Sequence, residues 1–166
     1  MRALFVGRFQ PLHWGHAKVV EWLLTHYDEV VVAVGSADKA LTFDNPFTPG
    51  ERLEMFRRQF GSSCRLLFCT VPDTNGPSSL WGAFLRHWCP QYHVAYSNNP
   101  YVAAALKYWG VEVRNHPVYE GYSATEVRRR MAKRDSSWKE MVPPAVAEYI
   151  EEIRGAERVA ELYANA

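Results

Sequence analysis

The 166-residue sequence predicts an α/β protein, with an open parallel sheet first and a run of helices after it. Three observations carry this. Apolar runs of strand length lie at residues 3–6, 29–34, 65–70, 93–96 and 111–114. Apolar residues at helical spacing fill residues 17–26, 49–60, 79–88 and 100–109 between them. Strand-like runs stop after Gly121, where the chain turns helical. Short strands alternating with helices form right-handed βαβ units, which stack their strands in parallel.

The elements can be justified in order. Ala3-Leu4-Phe5-Val6 is an uninterrupted apolar run, the mark of a buried strand. The first helix follows, with Val19, Val20, Leu23 and Leu24 on one face. Thr48-Pro49-Gly50-Glu51 reads as a capping box with proline at the first helical position. The loop from Pro72 to Ser79 is rich in turn residues and leads to the third helix. Ser123-Ala124-Thr125-Glu126 reads as a second capping box, opening a helix over 124–133. Pro143-Pro144 separates it from a helix over 145–154, and Gly155 breaks that one from the last. At this length one domain is expected, an α/β core over 1–121 with a helical part over 122–166.

Composition excludes more than it selects. Apolar residues at 48%, charged residues at 22% and a net charge of +1 give no reason to expect nucleic-acid or membrane binding. No apolar stretch nears the ~18–20 residues of a spanning helix. The first strand follows Met1-Arg2 directly, so no signal peptide is expected and the protein is read as cytoplasmic. The three cysteines, Cys64, Cys69 and Cys89, lack zinc-site spacing, and no protein-held metal site is expected. Buried free thiols are the preferred reading, with a Cys64–Cys69 bridge as the alternative in a hyperthermophilic source.

Chemistry concentrates in two places. Gly7-Arg8-Phe9-Gln10-Pro11-Leu12-His13-Trp14-Gly15-His16 lies where the first strand gives way to the first helix. That junction is where open α/β sheets bind ligands and where a helix N-terminus offers N–H groups to an anion. His13 and His16, three residues apart, can meet one ligand, Gly15 permits close backbone approach, and the Arg8 guanidinium can grip a phosphate bidentately. Ser123, Thr125 and Arg128 share the first turn and one face of a later helix and form a second anion site. Trp81 reads either as a base-stacking platform or as core, and Asp73 either as a ribose ligand or as a turn-former. His26, His87, His93 and His116 lack such company and read as structural or surface residues.

These blocks carry a resemblance. His13-Trp14-Gly15-His16 resembles the His-x-Gly-His signature of the nucleotidyltransferase superfamily. The longer string from Gly7 is similar to archaeal-type nicotinamide mononucleotide (NMN) adenylyltransferases, as are the Ser-x-Thr-x-x-Arg block at 123–128, Gly35-Ser36-Ala37 and Asn45-Pro46-Phe47-Thr48-x-Gly50-Glu51-Arg52. The likeness runs over roughly residues 1–160. It implies a doubly wound parallel five-stranded sheet of Rossmann-like nucleotidyltransferase type with C-terminal helices. It implies adenylyl transfer from ATP to NMN, with Mg²⁺ carried by the ATP. By that likeness Gly7, Arg8, Phe9, His13, Gly15, His16, Ser123, Thr125 and Arg128 meet ATP, and His16, His13, Arg8 and Arg128 act in the transfer. Trp81, Asp73, Ser36 and Asn99 meet NMN, with Ser78 where the family usually has asparagine. A homo-oligomer, often a hexamer, is also implied. The competing functions are another nucleotidyltransferase, acting on pantetheine phosphate, FMN or with CTP, and a non-catalytic nucleotide sensor.

Overall fold

The computed structural model describes all of residues 1–166. Five strands form one all-parallel sheet: β1 (Arg2–Gly7), β2 (Glu29–Val34), β3 (Leu66–Thr70), β4 (Val94–Tyr96) and β5 (Val113–Arg114). Their order is β3-β2-β1-β4-β5, so the winding reverses beside β1 and the expected doubly wound sheet is present. The helices are α1 (Trp14–His26), α2 (Pro49–Phe60), α3 (Trp81–Trp88), α4 (Pro100–Tyr108), α5 (Ala124–Ala132), α6 (Pro144–Glu152) and α7 (Gly155–Ala164). Every predicted strand and helix is present. The chain divides into two compact units.

The sheet unit comprises Met1–Arg8, Val19–Asp38 and Ser63–Pro117. Its core is Leu4, Val31, Ala33, Cys69, Val71, Leu85, Ala95 and Leu106, with Trp81 and Phe84 packed against it. The central strands are apolar on both faces because both faces are covered, which explains Val30 to Val34 as one unbroken buried run. Gly82 sets the spacing of α3 and α4. A Cβ there would lie 2.6 Å from both the Ala105 carbonyl oxygen and Trp109 Cδ1. The cysteines depart from expectation: Cys69 and Cys89 form a disulfide, and Cys64 is exposed and free. The pairing follows from α3 returning its end to β3, a long-range closure that the spacing of the cysteines does not encode. His93 and His116 are structural as read: His93 Nδ1 accepts the Arg2 N–H at 2.9 Å, and His116 packs edge-on to Phe5.

The helical unit comprises Phe9–Lys18, Lys39–Ser62 and Val118–Ala166. Its α2 begins with the full capping box foreseen at Thr48 and Glu51. The Glu51 carboxylate also takes a bidentate pair from Arg158 at 2.7 and 2.9 Å. Burial opposes its charge, yet the Arg158 guanidinium and the Thr48 N–H hold its pKa below the usual carboxylate range. Arg52, fully buried, donates to the Lys39 and Thr48 carbonyls and so ties the loop to α2. The second capping box is only half present. Ser123 Oγ accepts the Glu126 N–H at 3.1 Å, but the Glu126 carboxylate turns instead to Arg129 and Arg130. Local charge pairing three and four residues on has outcompeted the reach back to the cap. At the last break Arg154 takes φ +55°, and Gly155 opens α7 because a Cβ would meet Phe47 Cε1 at 2.8 Å.

Gln10 is the internal brace of this unit. Its buried carboxamide accepts the Phe47 N–H at 2.9 Å and donates to the Phe47 carbonyl at 3.0 Å. Gln10→Leu keeps the volume but leaves both main-chain groups buried and unpaired, an expected loss of about 2–4 kcal/mol. Urea unfolding measures this, and a loss below about 0.5 kcal/mol would mean that water replaces the amide.

Candidate active site

The two histidines are joined more tightly than a shared ligand requires. Helix α1 starts at Trp14, three residues earlier than its apolar pattern indicated, because its first turn is held by imidazoles rather than by a hydrophobic stripe. His13 Nδ1 accepts the His16 N–H at 3.4 Å, and His16 Nδ1 accepts the His13 N–H at 3.3 Å. This is the reciprocal logic of a capping box, with two rings in place of a hydroxyl and a carboxylate. The rings stack at 3.6 Å with 24° between their planes. With each Nδ1 accepting, the neutral tautomer of both rings carries its hydrogen on Nε2. The pair therefore offers two N–H donors beside the N-terminus of α1.

Gly15 is explained by the same stack. A Cβ there would stand 2.7 Å from His13 Cε1 and 2.9 Å from His13 Nδ1. The close approach expected of a ligand is thus made first by the imidazole itself. Phe9 supports the stack from the other side. Its buried ring lies edge-on to His16 and to Phe56, both at 4.8 Å. Phe9 holds φ +54°, an uncommon backbone for a bulky residue and the kind of strain that surrounding packing must enforce.

The second anion motif joins the first within this unit. Ser123 caps α5, and Tyr122, just before it, lies against Gly15, its Cβ 3.4 Å from where a glycine Cβ would be. Arg128 is only 5% exposed. It donates to the Gln10 carbonyl at 2.7 Å and to Thr125 Oγ1 at 3.4 Å. Gln10 lies within the first motif but was given no role from the sequence, and Lys18 was not singled out. Lys18 Nζ sits 5.2 Å above the Tyr122 ring and 5.6 Å above Tyr119. No spacing rule marks either residue, since their partners lie far along the chain.

The sheet unit carries the other predicted residues together in one cavity. It has a volume of about 550 Å³, within the range of small-ligand sites, and lies beyond the carboxyl ends of the strands. Gly7 ends β1 and Arg8 follows it, Gly35 and Ser36 follow β2, Asp73 and Thr74 follow β3, and Ser97 and Asn99 follow β4. Trp81 and Ser78 close one wall, with Val6 and Val102 as further apolar lining. This is where a reversal of strand order opens a crevice. Trp81 is half-buried against the core and also lines the cavity. Gly35 makes room, since a Cβ there would touch Trp81 Cζ2 at 3.4 Å. Asp73 orders the turn as well as lining the cavity: it accepts from Ser36 Oγ at 2.9 Å, and its N–H meets Asp38 Oδ1 at 2.8 Å. Asn99 commits its Oδ1 to capping α4 through the Tyr101 and Val102 N–H groups. Thr74, Ser97 and Val102 also line the cavity, and none of them was given a role from the sequence.

Burial lowers the pKa of His13 from 6.5 to about 4, so its ring is neutral at pH 7. Between these values the unfolded chain binds a proton that the folded chain refuses. The contribution to stability is therefore complete above pH 6.5 and lost as pH falls toward 4. From pH 7 to 4.5 the wild type should lose about 2–3 kcal/mol more than His13→Gln. Parallel urea unfolding at the two pH values tests this, and equal losses would place the burden elsewhere.

Comparison with known proteins follows the same lines. The cytidylyltransferase-like family profile matches residues 4–71, the stretch from β1 through the imidazole pair to the end of β3. A nicotinamide-nucleotide adenylyltransferase of Pyrobaculum neutrophilum is 44% identical, covering 95% of this chain and 92% of its own. Those of Caldivirga maquilingensis and Pyrococcus horikoshii are each 41% identical and are themselves covered to 92% and 90%. Among solved structures, a bifunctional NMN adenylyltransferase/ADP ribose pyrophosphatase of Francisella tularensis, complexed with AMP and a manganese ion, superposes with a TM-score of 0.81 at 18% identity. This chain matches 52% of that protein, and the likeness is one of fold. With identity above 40% over at least 95% of its length, the chain belongs to the nicotinamide-nucleotide adenylyltransferase family.

Proposed function

We propose that this protein transfers the adenylyl group of ATP to NMN, forming NAD and releasing pyrophosphate. The observation that carries the reading is the imidazole capping box. It presents imidazole N–H donors at a helix N-terminus, suited to phosphoryl oxygens that gain charge during transfer.

In this reading an oxygen of the NMN phosphate bonds to the α-phosphorus of ATP. The bond from that phosphorus to the bridging oxygen breaks, and pyrophosphate carries the electron pair away. The nucleophile is already anionic, so the chain needs no general base and its task is positioning and charge stabilisation. His16 and His13 donate from Nε2 to the reacting phosphates. Ser123, Thr125 and Arg128 hold the leaving pyrophosphate at the start of α5. In the sheet unit, Trp81 offers its face to the cationic nicotinamide ring. Arg8 takes phosphate charge, and the Asp73–Ser36 pair meets the ribose.

No cluster of three or more His, Cys, Asp or Glu side chains suited to a metal ion is found. A Mg²⁺ ion fits as one held by the triphosphate oxygens, since this ion keeps most of its waters and takes few protein ligands. It would neutralise charge between the phosphates.

The test is direct. Purified protein with ATP and Mg²⁺ is given NMN, nicotinic acid mononucleotide, pantetheine phosphate or FMN in separate reactions, and the products are resolved by chromatography. NAD and pyrophosphate should form in equal amounts with NMN. Product only from pantetheine phosphate or FMN would overturn the reading. His16→Ala should fold normally and turn over roughly 10²–10³-fold more slowly, as for loss of one oxyanion donor.

Trp81→Leu separates stacking from packing, because leucine still fills the core side. It should raise the Michaelis constant for NMN by roughly 5- to 100-fold, the range of base–aromatic stacking, with little change in that for ATP. Equal shifts for both nucleotides would remove Trp81 as the ring platform.

A further inference from the structure

The Cys69–Cys89 disulfide is not among the residues assigned to the reaction, yet its place in the chain bears on them. Cys69 sits one residue before the end of β3, and Cys89 directly follows α3. Their Cα atoms are 5.1 Å apart across a separation of 20 residues. The segment closed between them supplies Asp73, Thr74, Ser78 and Trp81, one whole wall of the ligand cavity. The rest of the wall is held by few bonds. Asp73 has its Ser36 and Asp38 contacts, and the Ser79 carbonyl accepts Trp109 Nε1 at 2.7 Å.

We infer that this disulfide is a positioning element of the cavity: it fixes the end of α3 to β3 and so holds Trp81 and Asp73 in register for the ligand. The inference rests on the reading of that cavity as the NMN site. With the bond intact, the wall is closed at both ends. With it reduced, α3 remains seated through Gly82 and Leu85, but its end can shift on β3. If the binding-competent arrangement is then populated about a tenth of the time, apparent affinity falls about tenfold with no loss of fold.

The bond is also within reach of chemistry. Cys69 is buried, whereas Cys89 lines a second cavity of about 420 Å³ together with Arg86 and Tyr92. A dithiol reductant entering there would attack Cys89 Sγ as its thiolate. The S–S bond breaks, Cys69 leaves as a thiolate and takes a proton, and a mixed disulfide remains on Cys89. The second sulfur of the reductant then displaces Cys89 as a thiol and closes its own disulfide. Two electrons pass to the protein and one dithiol is oxidised.

The experiment uses the full chain with Cys64→Ser, which removes the one free thiol and prevents reshuffling. Kinetics are measured oxidised, after reduction by a dithiol, and after re-oxidation, alongside Cys69→Ala/Cys89→Ala. Thiol titration verifies each state and circular dichroism verifies the fold. Reduction should raise the Michaelis constant for NMN by roughly 5- to 30-fold, leave turnover and the constant for ATP within about twofold, and reverse on re-oxidation. Amide exchange over residues 71–81 should quicken in the reduced form. Unchanged NMN kinetics with unchanged exchange would overturn the inference, as would parallel loss of turnover, ATP affinity and circular dichroism. Should the double variant fail to fold, reduction of the folded Cys64→Ser protein decides the matter. If the oxidised protein makes no NAD at all, the functional reading fails, while amide exchange still judges the positioning role.

Discussion

The helical unit depends on one solution to a general problem: buried main-chain polar groups must find partners, and an irregular segment cannot supply them from its own backbone. Here the Gln10 carboxamide supplies both for Phe47, a donor and an acceptor at 3.0 and 2.9 Å. The Gln10 carbonyl is in turn satisfied by Arg128 at 2.7 Å, 118 residues away in sequence. The two motifs singled out in the sequence are therefore joined directly. Arg128 is a structural tie as well as a proposed phosphate ligand, which accounts for a residue that is nearly sealed from solvent. Lysine could not do the same work, since it lacks the planar fork that reaches two acceptors in fixed geometry.

The same economy governs the imidazole pair. A helix N-terminus needs acceptors for its first N–H groups, and anion chemistry needs donors. A histidine can do both with opposite sides of one ring. Nδ1 caps the helix, which leaves the hydrogen on Nε2 for a ligand. The stack at 3.6 Å then requires glycine at position 15, and the Phe9 ring limits how far His16 can tilt. Burial keeps His13 uncharged at neutral pH, so the two rings can lie together without repulsion.

In the sheet unit the cavity is a product of topology. Residues from the ends of β1, β2, β3 and β4 meet there only because all strands are parallel and the order reverses beside β1. Each contributes one or two small or polar residues, and the one large surface comes from Trp81. Trp81 lies beside Gly35 and is carried by an α3 that packs through Gly82 and is joined to β3 by the Cys69–Cys89 bond.

Local rules were enough for much of this protein. Strands and helices follow from runs of Val, Leu, Ala and Phe and from caps such as Thr48 and Ser123, because those signals act within a few residues. The residues proposed for the site stand out in sequence where they are contiguous, from Gly7 to His16 and from Ser123 to Arg128, since motif spacing is itself a local property. What tertiary structure alone decided lies in long-range closure. The choice of Cys89 over Cys64 as partner of Cys69 depends on where α3 returns to β3. The diversion of Glu126 from its cap to Arg129 and Arg130 is a competition between two reaches of similar length. The Gln10–Phe47 and Arg128–Gln10 bonds have no sequence signature, because a buried donor takes whichever acceptor the fold places within 3 Å of it.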